Sequence, residues 1–386
     1  MTFLFWVSIS LIFYTYLLYP LLLRLVATNK TSTEELRNGD LRHWPDVDVV
    51  LSAYNEEQCI AQRIENLLAV EYTGKLHIYV ASDGSQDQTD SILETFREQP
   101  NVTVILHKQN RGKVTVLNEL VENCSADIIV FTDANTDFKP DTITQLVSSF
   151  QPNIGAVCGE LHLYNPAGNQ NSDSLYWRYE QFLKKKESAL GALLGANGAI
   201  YAIRSELYQP LPKSTVVDDF CIVMNIKKQG YDVVYNDAAI AHEEVAPTLS
   251  DEYGRRVRIG LGNYRAFATN LWALSPTRGR LAWCYWSHKV LRWFAPHFLV
   301  VAFVSNWLLV EERFYLVLAI AQTLFYLIAI YGLRSDKKGK KNKGIIAIIS
   351  FFVSMNVALG HGFIKYLQGG QQGSWKRTAR QGDLKQ

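Results

Sequence analysis

The chain has 386 residues, enough for a full catalytic domain with material to spare, and 20% are charged against 48% hydrophobic. A net charge of +2 gives no basic field, and no aromatic-plus-basic RNA-binding module is present, so nucleic acid is not an expected partner. The cysteines Cys59, Cys124, Cys158, Cys221 and Cys284 are odd in number and lack C-x-x-C spacing. They argue against a disulfide frame or a zinc site and read as small buried hydrophobes in a reducing compartment.

The charges crowd the middle of the chain. From Thr2 to Leu23 there is none, and about 20 apolar residues suffice to cross a bilayer. A cleaved signal peptide would need a basic start and a small-residue cleavage site. Here the basic residues Arg24 and Lys30 follow the apolar run, so residues 1–27 read as a retained transmembrane anchor with its C-terminal side in the cytoplasm.

Residues 45–275 alternate short apolar runs with amphipathic helices. Strands are expected at Val47–Ser52, Leu76–Ala81, Val102–Leu106 and Asp127–Thr132. The helix after the first strand carries Ile60, Ile64, Leu67 and Leu68 on one face, and further helices fit at Asp90–Glu98 and Lys113–Asn123. This alternation implies an α/β fold, a mostly parallel sheet with helices on both faces. Ligands bind such sheets beyond the C-terminal strand ends. Those ends carry Ala53-Tyr-Asn-Glu56, Ser82-Asp-Gly-Ser85 and Asp133-Ala-Asn135, three acidic turns in register. A nicotinamide enzyme needs a glycine-rich turn after its first strand, and Tyr54–Glu57 has no glycine. An acidic pocket that binds a pyrophosphate needs a divalent cation, Mg²⁺ or Mn²⁺.

Several residues have plainer expectations. Asp87 and Thr89 read as helix-capping groups, Lys184, Lys185 and Lys186 as a solvated helix face, and Glu180 as an exposed helical glutamate. Asp218 is placed to cap the helix running towards Gln229. Further on, Trp283, Trp286 and Trp293 alternate with His288, Lys289 and Arg292, the composition of an interfacial amphipathic helix over 278–293. The segment 294–367 reads as a C-terminal transmembrane region. Phe294–Val310 and Phe314–Leu333 form its hairpin, and Gly344–Leu367 is a third stretch weakened by Gly360, His361 and Gly362. The basic cluster Arg334–Lys343 is expected on the cytoplasmic side, and 368–386 is a basic tail.

Taken together, Ser52–Glu57, Asp83–Thr89, Gly112-Lys113 with Leu117-Asn118, and Asp133-Ala-Asn135 resemble family 2 glycosyltransferases of the GT-A fold. The likeness continues through Gly195–Ala199 with Arg204, Val217-Asp-Asp-Phe220, Arg255-Arg-Val-Arg258, and Trp375 with Arg377 and Arg380. The membrane segments resemble the branch of hyaluronan, chitin, cellulose and poly-N-acetylglucosamine synthases. The resemblance implies that Ala53, Tyr54, Glu56 and Asp83 hold the nucleoside, and that Lys113, Arg255 and Arg258 hold the pyrophosphate. It places Asp133 and Asn135 at the metal, with His242 as a further candidate ligand. Asp219 would be the general base of an inverting transfer, with Gly195, Asn197 and Asp218 on the acceptor side. Two positions depart from the family pattern. Asn135 stands where many relatives have a second aspartate, and Ile259 stands where processive synthases have the Trp of Gln-x-x-Arg-Trp.

The expected protein is a multi-pass enzyme of the cell membrane with a cytoplasmic catalytic domain. It would transfer a sugar from a UDP-type nucleotide sugar to a surface polysaccharide or glycan. Transfer of one sugar to a membrane lipid, or a catalytically silent subunit, are the alternatives; a partner subunit or homo-oligomer is left open.

Overall fold

A computed structural model describes residues 1–27, 44–164, 172–244, 249–337, 340 and 342–370; Lys30, Trp375, Arg377 and Arg380 lie outside them. The chain divides into an α/β unit, from the described parts of Ala27–Asn169 and Lys184–Val245, and a helical unit of Met1–Val26, Gln170–Leu183 and Ala246–Gly370.

The strands are β1 (Val47–Ala53), β2 (Leu76–Asp83), β3 (Val102–His107), β4 (Ile128–Asp133), β5 (Thr136–Phe138), β6 (Ile154–Tyr164), β7 (Ile200–Arg204) and β8 (Asp232–Glu244). In chain order the first helices are α1 (Thr2–Phe13) and α2 (Tyr19–Val26), joined by a π-helical turn at Tyr14–Leu18. Then come α3 (Ile60–Leu68), α4 (Thr89–Glu94), α5 (Lys113–Asn123), α6 (Thr142–Ser148), α7 (Ser172–Ala189) and α8 (Asp218–Lys228). The rest are α9 (Leu249–Thr269), α10 (Arg280–Cys284), α11 (Leu291–Trp293), α12 (Ala295–Trp307), α13 (Arg313–Lys337) and α14 (Gly344–Leu367).

In the α/β unit the strands form one eight-stranded sheet in the order β3-β2-β1-β4-β7-β6-β8-β5. All seven residues of β1 are buried, as a strand covered on both faces requires. The one charge in that run, Asp48, accepts the backbone N–H groups of Ser125 (2.8 Å) and Ala126 (3.0 Å), which satisfies it inside the sheet. The β3-β2-β1-β4 half is parallel, and β6 runs parallel to β8; β7 is antiparallel to β4 and β6, and β5 to β8. The sheet is therefore mixed and mostly parallel. Because Ser52 pairs with Asp133 and Ala53 with Ser82, the three acidic turns emerge along one edge.

Two helices differ from expectation. On α3 the buried face is Ile60, Arg63, Ile64 and Leu67, whereas Leu68 is 37% exposed. Arg63 lies three residues after Ile60, on the inner face, and polar type alone had kept it out. Helix α4 stops at Glu94 and gives way to turns.

Among the described residues, three helices of the helical unit are long and apolar enough to cross a membrane: Thr2–Val26, Arg313–Asp336 and Gly344–Leu367. The expected first arm of the hairpin is shorter than its apolar run. Helix α12 has 13 residues, about 20 Å at 1.5 Å per residue, against a hydrocarbon core of about 30 Å. Conversely, Gly360 and Gly362 do not interrupt α14. Gly362, with Gly260 opposite, lets it approach α9: a Cβ on Gly362 would lie 2.7 Å from the backbone N of Leu261, and one on Gly260 3.3 Å from the Cα of Leu359.

The tryptophan stretch packs inside this unit instead of presenting an open apolar face. Cys284, Tyr285, Ser287, His288, Val290 and Trp293 are buried, and Trp283 Nε1 donates to Tyr14 Oη at 3.0 Å; Trp286 is exposed. Glu180 is buried too, contrary to expectation. Its Oε1 pairs with Arg292 Nη1 at 2.5 Å and its Oε2 faces His288 Nε2 at 3.4 Å. Burial works against the Glu180 charge, but Arg292, His288 and Lys289 outweigh it and hold the carboxyl well below its ordinary range.

Candidate active site

The turns after β1 and β2 are laced into one edge. Asn55 adopts φ 55°, a left-handed conformation that asparagine tolerates. Its N–H donates to Ser85 Oγ (3.0 Å) and its Oδ1 accepts the Gln86 N–H (2.7 Å). The Glu56 N–H donates to Thr89 Oγ1 (2.7 Å), and the Glu57 N–H to Asp87 Oδ2 (3.2 Å). Asp87 Oδ1 also accepts the Thr89 N–H at 3.0 Å, but the N-cap of α4 is Gln88, so Asp87 and Thr89 tie the two turns together instead of capping the helix as expected. Tyr54 is held partly exposed on this edge, with Ala53 and Glu56 buried beneath it.

Asp83, fully buried at the end of β2, shapes the next loop. Its two oxygens accept the N–H groups of Arg111 (2.7 Å) and Gly112 (2.9 Å). Burial pushes its carboxyl above the ordinary range, against those two N–H groups. Gly84 and Gly112 both have positive φ, at 72° and 88°, and Gly112 turns the chain into α5 so that Lys113 stands at the helix N-terminus.

The acidic residues converge on that lysine. Lys113 Nζ lies 2.9 Å from Asp133 Oδ1 and 3.3 Å from Asp218 Oδ2. Burial disfavours its charge, but Asp133, Asp218 and Asp219 outweigh burial and keep the ammonium above its ordinary range. Asp218 therefore does not cap α8: the N-cap is Val217, and the Asp218 carboxylate goes to the lysine. Asp219 opens the same helix, partly exposed, with Oδ1 accepting the Phe220 N–H at 2.8 Å. Burial of its carboxyl and the adjacent Asp218 charge raise its proton affinity, opposed by Lys184 and Lys113.

The segment Gly195–Ala199 lies against α8. A Cβ on Gly195 would meet the Phe220 ring at 3.4 Å, and one on Gly198 would lie 3.6 Å from Asp219 Oδ2. Asn197 is buried, and its Nδ2 donates to the Gly159 carbonyl at 2.7 Å. Lys184 is not solvated as expected: it is 9% exposed, and Nζ donates to the Ala196 carbonyl (3.0 Å) and to Asn197 Oδ1. Lys185 does stay exposed, paired with Asp237.

The remaining expected site residues have these contacts. Asn135 Nδ2 donates to Glu243 Oε1 at 2.9 Å. His242 pairs across the strands with Asp137, and its ring packs edge-on against His162, with centroids 5.5 Å apart. Among the described residues no three His, Cys, Asp or Glu side chains are grouped as a metal cage. In the helical unit, Arg255 contacts Glu252 through Nε (2.9 Å) and Nη2 (3.1 Å), one turn before Arg258 on α9.

Acidic strand ends around a helix-terminal lysine, with a second aspartate pair at the head of a later helix, fit transfer of a phosphate-activated group. Residues 48–208 match the family described as Glycosyl transferase family 2. That segment is a family 2 glycosyltransferase domain. The poly-beta-1,6-N-acetyl-D-glucosamine synthase of Staphylococcus aureus (strain COL) is 23% identical over 261 residues, 64% of this chain and 63% of the relative. The synthase of the same name from Staphylococcus epidermidis is 22% identical over 239 residues, 60% of this chain and 58% of the relative. The chain thus spans just under two thirds of the length of the curated relatives it matches. Among solved structures, the mannosyltransferase PcManGT from Pyrobaculum calidifontis, in complex with GDP-Man and Mn²⁺, aligns with a TM-score of 0.72 at 20% identity. The alignment covers 95% of this chain and 100% of that one, which shows the GT-A fold.

Around the glycosyltransferase site the sequence reading missed four supporting residues. Arg63 is fully buried: Nη2 donates to Thr132 Oγ1 (2.7 Å), Nη1 donates to Asn66 Oδ1 (2.5 Å), and the guanidinium lies 4.3 Å over the Phe138 ring. Burial lowers its pKa to about 9, against Asp137 and Asp133. Thr132 in turn donates to the Ala199 carbonyl at 2.8 Å. Tyr201 stacks on Phe131 at 4.9 Å, fully buried, with Asp218 and Asp219 among the charges acting on its hydroxyl. Lys184 is the fourth. It lies with Glu180, Leu183 and Glu187 on one buried helical face whose charged residues gave no sequence signal of burial.

Proposed function

We propose that this protein is a membrane-integrated inverting glycosyltransferase that moves a sugar from a UDP-type nucleotide sugar onto a growing surface polysaccharide or glycan. The observation that carries the reading is Lys113 held between Asp133 and Asp218, with Asp219 partly exposed beside them. A helix N-terminus bearing a lysine is a ready site for a diphosphate, through both its N–H groups and the charge. Tyr54 offers its ring to the base, and Glu56 and Asp83 fix the edge on which the nucleoside rests.

In the transfer, the acceptor hydroxyl oxygen forms a bond to the anomeric carbon while the bond to the nucleoside diphosphate breaks. The hydroxyl proton passes to Asp219, and configuration inverts. A carboxylate with raised proton affinity on a partly exposed residue suits this task. Gly198 leaves the Asp219 Oδ2 side open, since a side chain there would lie against it. Arg255 and Arg258 are proposed hydrogen-bond donors to the pyrophosphate.

Mg²⁺ is commonly held by one or two carboxylates, with substrate phosphates and water completing its shell. Asp133 and the amide oxygen of Asn135 are a donor set of that size, and they would hold Mg²⁺ or Mn²⁺. The bound ion supplies Lewis-acid neutralisation of the leaving diphosphate.

The proposed location is the cell membrane, with the catalytic domain in the cytoplasm. Ile259, lacking an aromatic platform, favours a second reading: addition of a single sugar to a lipid or glycan. The test is product length from radiolabelled nucleotide sugars in membranes with Mg²⁺ or Mn²⁺. A ladder of long chains supports polymerisation, one added sugar supports the second reading, and no labelled product from any donor contradicts both.

A further inference from the structure

Two buried cations hold the turn Ala196–Ala199. Lys184 donates to the Ala196 carbonyl and to Asn197 Oδ1. Arg63 reaches the Ala199 carbonyl through Thr132. Asn197 is fixed further, its N–H donating to Cys158 Sγ (3.2 Å) and its carbonyl accepting the Ile200 N–H (2.9 Å). The turn so fixed carries Gly198, the residue that meets Asp219.

A buried ammonium is costly unless its charge is used. The two acceptors of Lys184 are a carbonyl and an amide oxygen, neither of them charged, so hydrogen bonding alone gives no reason for a cation here. The charge acts on the Asp219 carboxylate, against burial and the adjacent Asp218. The groups facing Asp219 are Asp218 and the Phe220 N–H on α8, Lys184 on α7 and Lys113 on α5, with Cys158, Tyr201 and Cys221 around them. Of the two cations, Lys113 is in contact with Asp133 and Asp218.

We propose that Lys184 is a positioning residue for the transfer: it fixes the turn on which Gly198 meets Asp219, and its charge favours the Asp219 carboxylate. The inference rests on Asp219 being the base. A neutral side chain at 184 frees the turn and removes a cation that favours the carboxylate form. Asp219 then holds its proton to higher pH, and the acid limb of the pH–rate profile moves upward.

The experiment compares full-length wild type, Lys184→Met, Lys184→Gln and Lys184→Arg in detergent, following nucleotide release across pH and UDP binding with Mn²⁺ by calorimetry. Lys184→Met and Lys184→Gln are expected to lose about tenfold or more in kcat, with donor KM and UDP affinity within about twofold of wild type. Their acid-limb midpoints should rise by about one pH unit, while Lys184→Arg keeps the wild-type midpoint. If Lys184→Met fails to fold, Lys184→Gln, which keeps a donor for the Ala196 carbonyl, decides alone. Unchanged midpoints in the neutral variants, or a loss confined to donor KM, overturn the positioning role. Absence of release by the wild type with every donor overturns the glycosyltransferase reading itself, so the two failures appear in different samples.

Discussion

Replacing Glu180 by alanine should unfold the helical unit at markedly lower temperature. The carboxylate faces Arg292 at 2.5 Å and His288 at 3.4 Å, with the three side chains 11%, 13% and 1% exposed. At an effective dielectric near 20, opposite charges about 4 Å apart attract by about 4 kcal/mol. Removing one member of a buried pair typically costs about 3–5 kcal/mol, because the other charge stays buried. The rings of Tyr16, Tyr176 and Tyr179, 5.2–5.8 Å from the Arg292 guanidinium, remain as partners. These contacts are made in the wild type too and keep the orphaned guanidinium partly satisfied, so the loss should fall at the low end of that range, about 3 kcal/mol. At about 2–4 °C per kcal/mol, Tm falls by about 6–12 °C. Tryptophan fluorescence of purified protein heated in detergent reads this directly. The double variant Glu180→Leu with Arg292→Leu should regain most of it, since no orphan charge is left. A fall below about 2 °C for Glu180→Ala, or a double variant no better than the single one, would refute the reasoning.

Other substitutions probe the site's supports. Gly84→Ala would place a Cβ 2.5 Å from the carbonyl carbon of Gln109 at φ 72°. It should cost at least about 2 kcal/mol and weaken UDP binding, because the displaced loop carries Lys113; calorimetry and thermal melting check both. Thr132→Val removes the acceptor of Arg63 Nη2 and the donor to Ala199. Denaturant titration should show a loss of about 2–3 kcal/mol, and less than about 0.5 kcal/mol would count against the Arg63–Ala199 link. Wild-type activity should fall as pH drops through the raised Asp219 value, since the base must be deprotonated. That decline should begin at higher pH than for an ordinary aspartate; a profile flat into the usual carboxylate range would contradict the assignment.

The strands of the α/β unit were readable because parallel strands are continuous apolar runs, and Ala53, Asp83 and Asp133 stood where those runs ended. The antiparallel insertion of β7 was not, since a five-residue apolar run carries no sign of direction. Arg63, Glu180 and Lys184 were misread or missed for one shared reason: each is a charged residue on the inner face of a helix, and binary patterning assigns such residues to solvent. What holds them inside is hydrogen bonding to residues distant in sequence, Thr132, Arg292 and Ala196. Helix α12 was over-read because an apolar run gives the length of a greasy segment, whereas this helix ends at Trp307.

The central claim is that Asp219 takes the acceptor proton, and Asp219→Asn in purified full-length protein tests it most directly. Nucleotide release would be followed across a panel of nucleotide sugars with Mg²⁺ or Mn²⁺, and UDP binding measured on the same sample. The account predicts a loss of at least about 100-fold in kcat with UDP binding retained, because the amide keeps the shape but takes no proton. Wild-type turnover by Asp219→Asn would contradict it.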